Sequence, residues 1–286
     1  MKRSHFLKTV GQAFLVVLIL AAGQAFAKTI ALNQPQGLAV DAKGNLYVAN
    51  FAGNQILVYN PSYVQQTKKN ISTNISYPTG VAFDRDGDLF VSNAGTWSIT
   101  KYTPAGVQTT AATITNGVQY PTAVAVDALN DVFVINDFQT YNVYDSTGSM
   151  IASNMTTEVV NTIATHGEWT VVGFQNSAYT VDLAGPILAN IFRYFAVHTQ
   201  AATAAAIDDS GNAYVGSVSS SGDKALVMIP PASQFAGNSI SLTYAPAGVA
   251  VDSVRGRAYV SNSTGNKIEV YSIAGSNYGT LLTTIQ

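Results

Sequence analysis

A phrase that returns every 43 residues, short apolar segments between the copies, and turns rich in glycine and asparagine predict an all-β chain, a six-bladed β-propeller of four-stranded antiparallel blades. The phrase reads Pro35-Gln36-Gly37-Leu38-Ala39-Val40-Asp41, then Pro78-Thr79-Gly80-Val81-Ala82-Phe83-Asp84, then Pro121-Thr122-Ala123-Val124-Ala125-Val126-Asp127. It returns as Pro246-Ala247-Gly248-Val249-Ala250-Val251-Asp252, and a weaker copy, Ala202 to Asp208, begins 44 residues before that. Val160 to His166 fills the gap at spacings of 39 and 42 residues, lacking both the proline and the aspartate. Six such units account for nearly all of the chain that follows an N-terminal leader.

The leader is read from Lys2, Arg3 and Lys8, an uninterrupted apolar run from Ala13 to Ala22, and the small-x-small pattern Ala25-Phe26-Ala27. This is the order of a secretory signal peptide, and the apolar run is about half of the roughly 20 residues that span a bilayer. The expected organisation is a signal peptide over residues 1–27 and a propeller over residues 28–286, secreted or periplasmic, with no membrane association after cleavage. There is no cysteine, so no disulfide supports the fold. The leader takes three of the 14 Lys and Arg residues, leaving 11 against 16 Asp and Glu. That balance gives no electrostatic reason to bind nucleic acid or anionic lipid.

Each unit reads as strand, turn, strand, loop, strand. In the first, Gly37 to Asp41 is followed by a Lys43-Gly44-Asn45 turn, Leu46 to Ala49, a loop at Asn50 to Asn54, and Gln55 to Tyr59. Glycine and asparagine supply the positive φ that tight turns need. The second strand repeats an aromatic and β-branched pair at Tyr47-Val48, Phe90-Val91, Phe133-Val134, Tyr214-Val215 and Tyr259-Val260, expected to pack blade against blade. Outer strands are the least regular, with candidates at residues 71–75, 108–114, 191–197 and 240–244. Thr29 to Leu32 and Leu281 to Ile285 both look like the strand before a Pro-x-Gly phrase, so the two ends are expected in one blade.

Taken together, Pro-x-Gly-Val-Ala-Val-Asp, Gly-Asn-x-Tyr-Val-Ala-Asp/Asn and Asn-x-x-Ile-x-Val-Tyr resemble the NHL repeat, most closely at Pro35 to Tyr59 and Pro246 to Tyr271. The resemblance implies a propeller related to a group that includes SMP-30/gluconolactonase-like lactonases, streptogramin lyases and non-enzymatic interaction domains. Such kinship does not choose a function. Lactonases of the SMP-30 kind hold a divalent cation with a first-blade glutamate, and this chain has Gln36 near that place.

Candidate chemistry is sparse. Aspartates 41, 84, 127, 208 and 252 end first strands, where a carboxylate accepts N–H groups of the following turn. Asp84-Arg85-Asp86-Gly87-Asp88 superficially resembles a calcium loop but lacks the spacing of one. His166 stands in the aspartate slot beside Glu168, and His198 is the other histidine beyond the leader. No cofactor and no metal are expected, and no catalytic residue is assigned. Asparagines recur at the ends of second strands, at Asn50, Asn93, Asn136 and Asn262. They form either a neutral rim at the channel mouth or local bonds within their own loops. With Phe51 and Trp97 beside them they are the candidate ligand-binding residues, and Phe138, Tyr141 and Phe174 add aromatics to the same loops. The expected function is a scaffold that binds an uncharged polar ligand, a peptide, a glycan or a protein partner. The alternatives are an atypical lactonase-like or lyase-like enzyme, or surface association through the aromatic outer segment Ile191 to Phe195.

Overall fold

The computed structural model describes residues 29–109, 113–136, 139–156, 159–167, 169–175, 178–182, 192–195, 201–231 and 237–286. Of 178–182 and 192–195 only the backbone is described. The expected leader, His198, Glu168 and Phe138 lie outside these residues.

The chain is an all-β propeller. Among the described residues the strands make six antiparallel sheets. The first holds β1 (Pro35–Val40), β2 (Leu46–Asn50) and β3 (Gln55–Tyr59), and the second β4 (Pro78–Phe83), β5 (Leu89–Asn93) and β6 (Ser98–Tyr102). The third holds β7 (Pro121–Val126), β8 (Val132–Asn136), β9 (Thr140–Tyr144) and β10 (Met150–Met155). The fourth holds β11 (Val160–His166), β12 (Trp169–Phe174), β13 (Ala178–Asp182) and β14 (Phe192–Phe195). The fifth holds β15 (Ala201–Ile207), β16 (Ala213–Val218), β17 (Lys224–Ile229) and β18 (Ser239–Leu242). The last holds β19 (Gly248–Asp252), β20 (Arg257–Asn262), β21 (Lys267–Ser272) and β22 (Leu281–Ile285). No helix among the described residues is long and apolar enough to cross a membrane.

The first strand of every sheet is innermost. β1 touches β4, β4 touches β7, and the contacts continue through β11, β15 and β19 back to β1. Second strands are buried throughout, as in Leu46–Asn50, Leu89–Asn93 and Val132–Asn136. Both faces of a sheet are therefore apolar, and the core lies between sheets. One cluster of buried side chains fills each space between neighbours. Tyr47 meets Phe83 edge to face across one of them, with ring centroids 4.9 Å apart. Such pairs add about 0.5–1.5 kcal/mol beyond the area they bury.

The turn aspartates do what their position suggests. Asp41 Oδ1 accepts the N–H groups of Lys43 and Asn45 at 2.9 and 2.8 Å, and Asp127 Oδ1 those of Leu129 and Asp131 at 2.8 and 2.9 Å. In the segment resembling a calcium loop, the Lys101 ammonium sits 2.9 Å from Asp84 and 3.0 Å from Asp88. A side-chain cation already balances both carboxylates. Burial works to lower the Lys101 pKa, but these two carboxylates outweigh it and hold the ammonium above its ordinary value.

The blades depart from four regular strands in the first two sheets. There, among the described residues, the outer strand is reduced to bridges, Ile56 with Ile71 and Tyr59 with Gln65, then Ile99 with Ile114 and Tyr102 with Gln108. In the first sheet the chain between the bridges turns into a short 3-10 helix, Thr67–Lys69. Val58 loses no bond by this, because its N–H donates to Asn70 Oδ1 at 2.9 Å and its carbonyl accepts from the Gln66 N–H at 2.6 Å. With the backbone already satisfied, nothing requires a continuous ladder.

The two ends meet, but not within one sheet. β22 is the outer strand of the last sheet, pairing Ile285 with Ile268. Residues 29–33 form no strand and enter the first sheet instead, where Gln65 exchanges hydrogen bonds with both backbone groups of Ile30. Leu32 and Ile285 then share a single cluster with Leu38, Leu57, Tyr259 and Ile268, drawn from the first and last sheets. Removing residues 281–286 or truncating Leu32 should destabilise the whole domain in one transition. For Leu32→Ala a loss of about 2–5 kcal/mol is expected, measured by urea unfolding. An unchanged midpoint would show that the ends do not hold the ring.

Candidate functional site

Antiparallel strands send alternate connections to opposite ends of a sheet, so the propeller has two dissimilar faces. The Pro-x-Gly entries and the loops after second strands share the upper face. The aspartate turns lie on the lower face.

A central cavity of about 570 Å³ runs along the first strands. Its wall is neutral, including Thr79, Thr122, Asn161 and Thr203, and it reaches the lower turns at Asp41, His166, Asp209, Asp252 and Arg255. At the upper end the inner strands crowd together. A Cβ on Gly37 would lie 2.7 Å from Gly80 Cα, and one on Gly248 would collide with the Gln36 carbonyl. Hydroxyls latch neighbouring sheets there, Thr79 Oγ1 donating to the Pro121 carbonyl at 2.7 Å and Ser261 Oγ to that of Gln36 at 2.8 Å. His166 Nε2 stands 3.3 Å from Asp209 Oδ1 on the lower rim, linking the fourth and fifth sheets. Among the described residues no three His, Asp or Glu side chains are grouped to hold a metal ion.

None of Asn50, Phe51, Asn93, Trp97, Asn136 and Asn262 lines this cavity. The four asparagines are buried, Asn50 and Asn93 completely. Their amides are committed to nearby chain. Asn50 Oδ1 accepts the Asn33 N–H at 2.6 Å, and its Nδ2 donates to the Ala31 carbonyl at 3.2 Å. Asn93 accepts from the Ser76 N–H at 3.0 Å and donates to Thr100 Oγ1 at 2.9 Å. Asn136 accepts from the Gln119 N–H and donates to the Gly117 carbonyl, both at 3.1 Å. Asn262 accepts from the Gly265 N–H at 2.7 Å. In three units the asparagine thus ties the end of its second strand to the segment entering the same sheet.

The aromatics divide. Phe174 is buried between the third and fourth sheets with Phe133 and Ile163, and Tyr141 packs against the same cluster. Phe51 and Trp97 instead face partners on the upper surface. Phe51 meets Tyr77 with centroids 5.2 Å apart, and Trp97 meets Tyr120 at 4.9 Å, each pair tilted by 51°. Tyr77, Trp97 and Tyr120 are 47%, 43% and 57% exposed, which leaves ring surface free after these contacts.

Tyr77 and Tyr120 stand outside the residues that the sequence pattern singles out. The signal was there, since each immediately precedes a phrase proline and they stand 43 residues apart. Their backbone is unusual too. Gln34, Tyr77 and Tyr120 have φ of 52°, 46° and 41°, although a residue before proline normally stays extended. Left-handed backbone at a non-glycine residue costs on the order of 1–3 kcal/mol and persists only where surroundings enforce it. Here Asn266 Oδ1 accepts the Gln34 N–H and Asn54 Oδ1 the Tyr77 N–H, each at 2.7 Å. At Tyr120 the corresponding residue of the preceding sheet is Trp97, and a ring contact stands where the other two have an amide.

With the geometry in view, comparison with known proteins separates family from fold. The model of the NHL repeat matches residues 32–59. The match covers the first unit alone. Among solved structures, the chain is similar to a streptogramin B lyase at 14% identity, TM-score 0.60, over 91% of this chain and 85% of that one. It is similar to a chain of a nidogen/laminin complex at 15% identity, TM-score 0.64, over 88% and 93%. A third likeness is to Kuenenia stuttgartiensis hydrazine synthase at 13% identity, TM-score 0.60, over 92% and 89%. At such identities the likeness is one of fold alone. No curated protein matches the chain.

If the asparagines hold the loops of the first unit and its neighbours, each replacement should cost stability. Asn93→Ala would strand the Ser76 N–H and loosen Thr100, at about 1–3 kcal/mol for the orphaned group. Urea unfolding of the variant measures it. A midpoint equal to that of the unaltered protein would contradict the fastening role.

Proposed function

We propose that this chain is an exported binding scaffold, a six-bladed propeller in which each of the six sheets is one blade, and that it receives an uncharged ligand on its upper face. The observation that carries this reading is the aromatic row of exposed Tyr77, Trp97 and Tyr120 with half-buried Phe51 beside them, mounted on loops whose backbone is held by buried asparagines. Exposed large apolar groups gathered on one face of a rigid frame mark binding surfaces more often than chance exposure does. The upper loops of the first two sheets and the segment entering the third, residues 29–34, 51–54, 72–77, 94–97 and 115–120, contain no charged side chain. A neutral partner loses no ion hydration on docking there, whereas a charged one would lose it without compensation. In this reading Asn50, Asn93, Asn136 and Asn262 serve the site by holding its loops, and Phe51 and Trp97 meet the ligand.

The likeness to a streptogramin lyase supports an enzyme reading only through the fold. Export rests on the leader alone, and a mature chain starting at Lys28 is what intact mass should report.

The face itself is tested by replacing Tyr77 and Tyr120 with alanine and screening the protein against arrayed neutral and charged peptides and glycans. The unaltered protein should retain a neutral ligand that the double variant releases, with the two melting temperatures within a few degrees. Equal binding by both proteins, or binding confined to charged ligands, would overturn the assignment.

A further inference from the structure

Three slots in the upper loops are equivalent by the repeat, and two are filled alike. Asn54 and Asn266 sit in left-handed backbone, φ 51° and 49°, a conformation asparagine tolerates, and each side chain fastens the residue that enters the next sheet. Trp97 holds the third slot at φ 49°. Tryptophan tolerates that backbone poorly, brings no acceptor for the Tyr120 N–H, and leaves 43% of its surface in water. Local stability is therefore poorly served by tryptophan at this one position. Beyond its contact with Tyr120, the exposed part of the ring is open to something outside the chain.

Trp97 also stands near a second aromatic pair on the neighbouring loop. Tyr77 spans from Phe51 of the first sheet to the loop of the second, since a Cβ on Gly95 would lie only 2.8 Å from Tyr77 Cδ2. Two residues on, Trp97 meets Tyr120, which enters the third sheet. In the same loop segments the exposed polar groups include the amides and hydroxyls of Gln34, Ser72, Thr73, Thr96, Asn116 and Gln119.

Resting on the scaffold reading above, we infer that this row binds an extended neutral glycan, its sugar rings stacked on the aromatics and its hydroxyls bonded to the surrounding amides. Pyranose units with equatorial hydroxyls carry flat patches of axial C–H that suit an aromatic face, while their rims need donors and acceptors together. Amides offer both. A row crossing three sheets fits an oligomer rather than a single sugar. A proline-rich peptide fits less well, because rings tilted by 51° make a corrugated surface, not a slot with parallel walls.

The repeat itself supplies the test. Trp97→Asn installs the residue found at positions 54 and 266, so the fold should be kept and the melting temperature equal or higher. Trp169 packs against Gly211 in the cluster between the fourth and fifth sheets, so in a Trp169→Phe background the emission reports Trp97 alone. The probes are β-1,4-linked hexamers of glucose, xylose and N-acetylglucosamine, together with a proline-rich decapeptide, followed by Trp97 emission and by calorimetry. At least one hexamer should shift the emission, and Trp97→Asn should weaken its binding about tenfold or more, a change of about 1.4 kcal/mol. Binding of the decapeptide alone, lost in Trp97→Asn, would overturn the glycan assignment and leave the scaffold face standing. Absence of binding by any hexamer at millimolar concentration, or equal affinity in Trp97→Asn, would overturn it as well. Equal affinity would in addition remove Trp97 from the scaffold's binding face.

Discussion

Everything in this propeller depends on one contact, the packing of the first sheet against the last. A single blade has two apolar faces and buries neither alone, so each sheet needs a neighbour on both sides. Among the described residues, five of the six junctions join sheets that follow one another in sequence, and the chain makes them as it proceeds. The sixth joins its ends. There Leu38, Leu46 and Leu57 meet Tyr259, Ile268 and Val270, with Leu32 and Ile285 completing the cluster. Polar latches reinforce it at several heights, from Gln34 with Asn266 and Gln36 with Ser261 to the Pro61 carbonyl, which accepts from Arg257 Nη1 at 2.9 Å. Closure of this kind removes the two exposed faces an open row of sheets would leave.

A closed ring also fixes where binding surface is placed. Inner strands crowd together at their upper ends and the cavity runs along them to the lower turns, while Phe51, Tyr77, Trp97 and Tyr120 stand on the upper loops and none of them lines it. The upper loops combine a buried amide beneath with exposed rings above. Asn50 and Asn93 give up their hydrogen-bonding capacity to neighbouring chain, and that commitment lets Phe51, Tyr77, Trp97 and Tyr120 project from loops that do not need their rings for support.

The period of the Pro-x-Gly phrase made the propeller legible, because each copy imposes the same turn chemistry and the same alternation of strands. The turn aspartates were legible for a related reason, since a carboxylate ending a strand before glycine meets the following N–H groups. What escaped inspection depends on contacts between units. That the recurring asparagines point inward follows from the path of the segment entering each sheet, which no local pattern records. Phe174 reads like Phe51 in sequence, yet it is buried because the fourth sheet presses it against Phe133. Tyr77 and Tyr120 carry no local mark beyond the prolines after them, and only their positive φ and ring contacts show that they reach across to the preceding loop. The outer strands were least legible because a single 3-10 turn, Thr67–Lys69, suffices to break the ladder where side chains satisfy the backbone.

The central claim is that recognition occurs on the upper aromatic face and not in the cavity reached from the lower turns. Mapping amide-proton chemical shifts across the protein as a bound hexasaccharide is titrated in tests this most directly. The account predicts that the perturbed residues gather at 51–54, 77, 95–97 and 120. Shifts gathered instead at Asp41, His166, Asp209 and Arg255, around the lower opening of the cavity, would contradict it.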